Sequence, residues 1–338
     1  MGKSVDSYLL GMELGAAQSF ENMTVFGLLT SLDGGPEYIT LKEALEKGVF
    51  KVAEVSEGGS VPELKVENMG DIAVLLLDGE ELMGAKQNRV LNTTILVAPK
   101  SAIKVPVSCT EHGRWSYESR EFAESGNVMH KSMRAVNARE VNLNLDASKE
   151  FCSNQGMIWD NVAAMAFDMK VSSRTGAMRD VFEARGADLD GYLKNFKAAE
   201  GLKGILVFID GKPAGMDFVS RDKAFVTLFP KLVKSYAMEA MLLRERRKAG
   251  RGKGGADKAS VMPGADDARE FLKQAAACEE KKYASVGMGW SYRYSGAGIV
   301  GSALTVDENI VHVAFFSVAE AEAAGNMAGT SRRRSFCI

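Results

Sequence analysis

Residues 84–115 read GAKQNRVLNTTILVAPKSAIKVPVSCTEHGRW, a string with two apolar runs and an unusually polar opening. The second run, Ile103 to Cys109, alternates apolar and polar residues with the period of two that a half-buried strand requires. The first run, Val90 to Val97, directly follows a cluster of hydrogen-bonding side chains. The string therefore predicts two core strands, the first of which begins in a polar cluster.

Further short elements are predicted before this string. Apolar runs at Met23 to Leu29 and Phe50 to Val55 predict strands, and Leu41 to Lys47 between them predicts a short helix. The segment Val74 to Met83 has Asp78-Gly79 at its centre, the pair that a type I′ turn favours, so it predicts a hairpin. The first third of the chain is thus expected to be rich in strands.

After Trp115 apolar residues recur at helical spacing over several segments. A second pair, Asp210-Gly211, predicts another hairpin, and Pro230 is expected to kink or divide the longest helix. We therefore expect an α+β fold, with antiparallel β-sheets and hairpins in the N-terminal part, and helices with a second small antiparallel sheet in the C-terminal part. After Trp115 the expected helices include the stretch around 162–169 and the segments 176–183, 189–196, 222–247 and 265–279, and the later strands lie within 205–218 and 283–316.

Length and charge limit the class of protein. The chain has 338 residues, more than a usual single domain, so we expect a β-rich lobe at 1–125 and an α+β lobe at 126–338, packed as one cooperative unit. The formal net charge of −2 gives no support to nucleic acid as a partner. No window approaches about 18 uninterrupted apolar residues, so we expect no membrane partner and a cytoplasmic location.

Metal binding through cysteine and histidine is not expected. The four cysteines show no CxxC pairing, and the chain has only three histidines. A structural zinc site needs closely spaced soft ligands, which this sequence does not offer. We therefore predict no metal ligand and name no cofactor, while the sequence leaves open whether Mg²⁺ binds at Asp78, Glu80 or Glu81.

The polar opening of the 84–115 string is the first candidate binding site. A buried Arg89 needs a carboxylate or an anionic ligand, because an unpaired cation in the interior is costly. One interpretation is an internal salt bridge from Arg89 to Glu80 or Glu81, the nearest carboxylates in the sequence. The other is a ligand site that also uses the neighbouring polar side chains, and it accounts for more of the excess polarity.

The end of the same string, CTEHGRW, places Arg114 beside Trp115. An arginine fork suits a phosphate, and an indole face suits a base or a sugar. The alternative is a tryptophan that closes the end of a sheet, with the arginine stem packed along it. Cys109 in the preceding strand is expected to pack in the core and not to act as a nucleophile.

Two other segments are candidates for anion binding. In SSRTGAM, residues 172–178, hydroxyl groups precede a predicted helix, whose free amides attract anions. The alternative there is ordinary N-capping by Ser173 or Thr175. The basic run at 244–258 lacks the order of a phosphate-binding loop, so we interpret it as a solvated insertion, with weak RNA contact as the remaining option.

Several strings together resemble a known family. The segments LLLDGEELMGAKQNRVLNTTILVAP, VPVSCTEHGRW, the WDNV string at Trp159, SSRTGAM and FPKLVKSYAMEAM are similar to the domain family named for association with ADP-ribosylglycohydrolase and rhodanese-phosphatase proteins. The resemblance runs from about Ser19 to Phe316. His112 stands where the family pattern has glutamine, and Arg174 interrupts the S-x-T-G string. The resemblance implies a link to the turnover of NAD and ADP-ribose derivatives.

We therefore expect a protein that binds a small phosphorylated ligand, a nucleotide or an ADP-ribose or NAD derivative, and that catalyses its turnover if it is an enzyme. If so, Glu80 or Glu111 would be the general acid or base, because a carboxyl partly buried near cations can exchange protons at neutral pH. The expected ligand-binding residues are Lys86, Gln87, Arg89, Asn92, Arg114, Trp115, Ser173 and Thr175.

The alternative hypothesis is a non-catalytic interaction or homo-oligomeric assembly protein. In that case the same polar residues form an internal network, and the apolar face of the long helix that begins at Asp222 forms the interface between subunits.

Overall fold

The computed structural model describes residues 5–31, 34–56, 58–148, 150–250 and 262–318. These residues form mostly antiparallel sheets and a set of helices, so the predicted α+β fold class is confirmed. The helices are α1 (Val5–Leu10), α2 (Leu41–Glu46), α3 (Lys131–Ser148), α4 (Gln155–Asp168), α5 (Met178–Ala184), α6 (Gly186–Asn195), α7 (Asp222–Lys248) and α8 (Ala265–Ala276).

The strands before α3 are β1 (Glu13–Phe20), β2 (Met23–Leu29), β3 (Tyr38–Thr40), β4 (Phe50–Glu54), β5 (Glu63–Asn68), β6 (Ala73–Leu76), β7 (Glu80–Gly84), β8 (Arg89–Leu91), β9 (Ile95–Val97), β10 (Ser101–Cys109) and β11 (Phe122–Val128). The later strands are β12 (Gly204–Ile209), β13 (Lys212–Val219), β14 (Glu279–Ala284), β15 (Trp290–Gly296), β16 (Ile299–Val306) and β17 (Asn309–Ser317).

The largest sheet in the described residues has eight antiparallel strands in the order β1, β2, β12, β13, β17, β16, β15, β14. Strands β1 and β2 thus join strands from beyond residue 200, with Leu28 opposite Gly204. The division into lobes at residue 125 stays a prediction. The hairpin predicted at Asp210-Gly211 is confirmed, since both residues have positive φ, 53° and 73°, as a type I′ turn requires.

Two smaller sheets follow the orders β11, β7, β8, β10, β5, β4 and β3, β6, β9. The hairpin predicted at Val74 to Met83 is wrong, because β6 pairs with β3 and β9 while β7 pairs with β8 and β11. Glu80 N still donates to Leu77 O (3.2 Å) in a tight turn, but only Gly79 has positive φ, at 75°. The chain therefore passes from one sheet to another at this turn.

The predicted strand at Val90 to Val97 is divided into β8 and β9. The polar residues between them direct their side chains to other elements, so the strand pairing is interrupted there. Pro106 lies where β10 changes partner, because Pro106 is opposite Glu63 of β5 and Val107 is opposite Leu91 of β8. Proline has no N–H for a strand ladder, which suits this transition.

The long helix α7 lies in the main core. It continues through Pro230, and its apolar stripe, which includes Phe225, Leu232 and Tyr236, packs among residues of the large sheet and of α3 and α4. The apolar stripe of α7, which was expected to form a subunit interface, is therefore buried inside the protein. Formation of a homo-oligomer stays a prediction. Among the described helices, none combines the length and the apolar composition that a membrane span needs.

Candidate functional site

The polar strings GAKQNRVLNT and CTEHGRW lie side by side. Strand β8 pairs with the end of β10, which sets Arg89 opposite Cys109, and Thr110 N donates to Asn88 O (3.0 Å). The chain then returns over Arg89, so the centroid of the Trp115 ring lies 5.5 Å from the guanidinium carbon. Two segments that are about twenty residues apart in sequence therefore form one surface.

We call the group of Lys86, Arg89, Trp115 and Tyr117 the tryptophan platform. Lys86 Nζ lies 5.5 Å from the ring centroid of Trp115 and 5.1 Å from that of Tyr117. Trp115 is 48% exposed, whereas Arg89 is fully buried. The platform therefore offers an open indole surface with two cations close to it, a combination that favours stacking of a planar ligand.

The loop at Gly58-Gly59 supports the platform. Lys86 Nζ donates to Gly58 O (2.7 Å). Gly59 has a φ of 78°, and a Cβ atom there would lie 3.1 Å from Lys86 Cδ and 3.3 Å from Trp115 Cζ2. Glycine at this position thus allows the loop to pack closely against both side chains.

Arg89 is held in the interior with one loose counter-charge. Its Nη1 donates to Gln87 Oε1 (2.8 Å) and to Cys109 Sγ (2.9 Å). Its Nη2 lies 3.9 Å from Glu54 Oε1, and neither Arg89 Nε and Nη2 nor the Glu54 oxygens have a hydrogen-bond partner. The predicted partner of Arg89, Glu80 or Glu81 of β7, is therefore wrong. The carboxylate next to Arg89 is Glu54, at the end of β4.

Arg114 and Glu111 form a closed pair beside the platform. Arg114 Nε donates to both carboxylate oxygens (2.9 Å each), and Nη1 donates to Ala85 O (2.7 Å). Burial alone would raise the pKa of Glu111, but hydrogen bonds from Arg114, Thr175 and the Asn88 amide outweigh it and hold that pKa below its usual range. In this geometry the two groups neutralise each other, and their roles in phosphate binding and catalysis stay predictions.

The structure separates Asn92 from the platform. Its Nδ2 donates to Phe151 O (3.2 Å), and its Oδ1 accepts from Ser108 Oγ (2.8 Å), so both ends of the amide are used inside the protein. Gln87, in contrast, contacts Arg89 directly behind the platform. Of the two amides expected to orient a sugar or base, only Gln87 is adjacent to Trp115 and its cations.

The SSRTGAM turn packs against the segment that follows β10. Gly113 N donates to Thr175 O (2.7 Å). Ser173 Oγ accepts from Ala177 N (2.9 Å) and donates to Asp180. Ala177 is the N-cap of α5, which has no side-chain cap, so the N-capping interpretation is wrong in detail. The hydroxyl of Ser173 is engaged within the turn, and its role in ligand binding stays a prediction.

Glu80 is buried in an ion triad below α7. Lys231 Nζ donates to the carboxylates of Glu80 and Glu124, and Leu77 N donates to Glu80 Oε2 (3.1 Å). Burial raises the pKa of Glu80, and the nearby Lys231 charge opposes that rise. These partners belong to α7, β11 and the turn before β7, so Glu80 is engaged in a region distinct from the tryptophan platform.

Glu81, the next residue, has a different environment. It is fully buried, and its Oε1 accepts from Thr110 Oγ1 (3.0 Å). The Ser125 and Asn127 side chains lie near the carboxyl and oppose the effect of burial on its pKa. Burial raises the pKa of Glu81 to about 7. Of the two glutamates that open β7, Glu81 is therefore the one that can gain or lose a proton near neutral pH without breaking an ion pair.

A second polar cluster, which sequence reasoning missed, lies in the main core. We call Arg134, Asp78, Asp217, Tyr236 and His312 the Arg134 cluster. Arg134 Nη2 donates to Asp217 Oδ1 (2.6 Å) and to Asp78 Oδ1 (3.2 Å), and Tyr236 Oη donates to Asp217 Oδ2 (2.9 Å). The signal in the sequence was a charged or titratable residue inside an apolar strand, in GMDFVS and IVHVAFF, because such a residue requires a buried partner.

Two of the three carboxylates left open as Mg²⁺ ligands are held in ion pairs. Asp78 pairs with Arg134, and Glu80 pairs with Lys231. Within the described ranges, no group of three or more His, Cys, Asp or Glu side chains is arranged to hold a metal ion. The basic run at 244–258 lies only partly in the described residues, since its segment 251–258 is outside them.

The comparison with protein families gives one match. The family is ARPP-1, the ARG and Rhodanese-Phosphatase-superfamily-associated Protein domain, and its model matches residues 11–316. This range contains the tryptophan platform and the Arg134 cluster. No curated protein and no solved structure gives a significant match. The family description names associated proteins and states neither a ligand nor a reaction.

Proposed function

This chain belongs to the ARPP-1 domain family, and from its geometry we propose that it binds a phosphorylated nucleotide of the ADP-ribose or NAD type at the tryptophan platform. The observation that carries the proposal is the half-exposed ring of Trp115, with the cationic groups of Lys86 and Arg89 each 5.5 Å from its centroid. A base stacked on such a ring contributes about 1–3 kcal/mol to binding.

Lys86 supplies the positive charge that a phosphate can reach. It is half-buried, and its ammonium group donates to an uncharged oxygen of Gly58. An ammonium group has three donors, so Lys86 can bind a phosphate oxygen while it keeps this hydrogen bond. No carboxylate of the described residues pairs with it, which leaves its charge available to an anionic ligand.

Arg89 acts on the ligand through its charge. Its free donors, Nε and Nη2, are enclosed, so the guanidinium cannot hold a phosphate directly in this conformation. Its positive charge behind Trp115 still favours an anionic ligand on the ring, because the interior screens charge less than water does. Catalytic turnover stays an expectation from the resemblance, since the carboxyls predicted for it, Glu80 and Glu111, are both ion-paired.

Calorimetric titration with ADP-ribose tests the proposal. Trp115→Ala should weaken binding about tenfold or more, because it removes the stacking surface. Lys86→Ala should weaken binding at low salt and have less effect at high salt, because salt screens an exposed charge. Equal affinity in Trp115→Ala and in the wild type would refute the proposed site.

Trp290 of β15 provides a matched control outside the tryptophan platform. It is 47% exposed, and Lys282 Nζ lies 4.3 Å from its ring centroid. Trp290→Ala thus removes the same side chain from a similar lysine contact and should leave the affinity unchanged. A loss as large as that of Trp115→Ala would show that the effect is not specific to the platform.

A further inference from the structure

Arg293 of β15 is a buried cation with no carboxylate partner in the described part of the chain. Only 3% of the residue is exposed. Nη2 donates to Thr93 Oγ1 (2.6 Å), and Nε is enclosed with no hydrogen-bond partner. The guanidinium carbon lies 5.3 Å from the ring centroid of Phe151. Its described contacts are therefore one hydroxyl and one aromatic ring, and the charge of Asp78 acts on it without an ion-pair contact.

The other buried arginines show what is missing here. Arg134 contacts two aspartates, and Arg89 lies 3.9 Å from Glu54. Burial lowers the pKa of Arg293 to about 10, the direction expected of a cation that is removed from water without sufficient compensation. A buried charge is normally paired, because the loss of hydration is otherwise uncompensated. Arg293 is therefore suited to an anion that is not part of the protein.

The surroundings of Arg293 supply polar groups and one partly exposed neighbour. Thr93 and Asn92 come from the polar end of the GAKQNRVLNTT string, to which the proposed nucleotide site gives no role. Asn92 Nδ2 holds the backbone of Phe151 (3.2 Å). Phe151 is only partly buried, so the ring next to the guanidinium also reaches the protein surface. Of the two described contacts of the guanidinium, Phe151 is the more exposed, because Thr93 is buried.

We propose that Arg293 and Thr93 form a binding site for a small oxyanion, a phosphate or carboxylate group, which enters past Phe151. With the Phe151 ring moved aside, the planar guanidinium, which has five N–H donors, can hold two oxygens of one such group side by side. The threonine hydroxyl can rotate and donate to the same anion. This site is independent of the tryptophan platform, so loss of nucleotide binding there leaves it untouched.

Melting temperatures in sodium phosphate, sodium acetate and sodium chloride at equal ionic strength test the site. At millimolar phosphate or acetate we expect the wild type to melt roughly 2 °C or more above its value in chloride, because an anion that binds only the folded state stabilises it. Arg293→Met should lose this increase. In chloride it should melt at or above the wild-type temperature, because a buried unpaired charge has been replaced by an apolar side chain.

Arg269→Met is the matched control, since Arg269 is a mostly exposed arginine of α8. It should keep the full increase with the anion. If Arg293→Met does not fold, Arg293→Lys keeps the charge without the planar fork, and it should weaken anion binding about tenfold or more by calorimetry. Comparison of the measurements in phosphate and in acetate shows whether the site prefers phosphate or carboxylate.

An increase with either anion that is lost in Arg293→Met and kept in Arg269→Met supports the site. An increase of the same size in Arg293→Met, or no specific increase with either anion in the wild type, overturns it. Neither result depends on Trp115→Ala, so this proposal and the proposed function can fail separately.

Discussion

Arg134 and Arg293 are both buried arginines, but of the two only Arg134 is in contact with carboxylates of the described residues. Arg134 lies between Asp78 and Asp217, with donor–acceptor distances that begin at 2.6 Å, and Tyr236 adds a further hydrogen bond to Asp217. Arg293 contacts a threonine hydroxyl and an aromatic ring. The comparison shows that burial alone does not indicate the role of an arginine. The number of carboxylates in contact with it is the more informative observation.

Arg89 stands between these two cases. Glu54 is its counter-charge, but their closest atoms are 3.9 Å apart and several of their polar atoms have no partner. This incomplete pair lies directly behind the exposed ring of Trp115. The charge of Arg89 is thus only partly neutralised by Glu54, and its donors are enclosed. We therefore assign Arg89 a role through its charge and not through direct contact with the ligand.

The largest effect is expected when the balanced cluster is broken. Arg134→Met should lower the free energy of unfolding by about 3–5 kcal/mol, because Asp78 and Asp217 would remain buried without their cation. Urea denaturation followed by circular dichroism measures the change, with Arg269→Met as the exposed control. If the free energy of unfolding fell by less than about 1 kcal/mol, the two aspartates would be able to take up protons or water at little cost. The ion pairs of Arg134 would then not distinguish it from Arg293 in stability.

Glu81 extends the comparison to a buried acid without a cation in contact. Its pKa is about 4.5 when unfolded and about 7 when folded, so the folded protein holds the proton more tightly. The protonated Glu81 carboxyl therefore contributes to the stability of the fold below pH 4.5, and this contribution is lost as the pH rises through about 7.

Glu81→Gln should match the wild type in stability near pH 4. It should exceed the wild type by on the order of 3 kcal/mol at pH 8, because the amide has no charge to bury. Denaturation curves over this pH range measure the free energy of unfolding of both proteins. The effects of the other titrating groups cancel in the difference between the two values. A difference that does not change with pH would show that folding does not raise the pKa of Glu81.

The smallest effect separates the two aspartates of the Arg134 cluster. Asp217→Asn should destabilise the protein more than Asp78→Asn, by about 1 kcal/mol, because Asp217 makes the shorter hydrogen bonds to Arg134 and also accepts from Tyr236. Both variants keep the side-chain shape, so each is the control for the other in urea denaturation. Equal losses would show that the distances to Arg134 do not rank the two pairs.

The two Asp-Gly turns show how far local sequence can predict this fold. LVFIDGKPAG forms the expected hairpin, whereas LLLDGEELMG joins two different sheets. The second aspartate, Asp210, pairs with Arg247 near the surface and takes a positive φ. Asp78 instead contacts the buried Arg134, which lies 56 residues further along the chain. Turn chemistry predicted both turns, but not which strands the flanking segments would join.

The candidate site was predictable to a similar extent. Polar crowding in GAKQNRVLNT and the Arg-Trp pair of CTEHGRW identified Lys86, Arg89 and Trp115, and alternation in β10 indicated that the strand lies against a core. The partners of these residues were not predictable, because Glu54 precedes Arg89 by 35 positions and Lys231 follows Glu80 by 151. Long-range ion pairs leave no local periodic signal in one sequence.

The sequence by itself determined the α+β class, most helix and strand positions and the polar strings, because hydrophobic period and turn residues act over a few neighbours. Only the tertiary structure decided which buried cation meets an acid and which does not. That outcome depends on distances between elements far apart in the chain, and a change of a few ångströms in a low-dielectric interior separates a neutralised pair from a cation suited to a ligand.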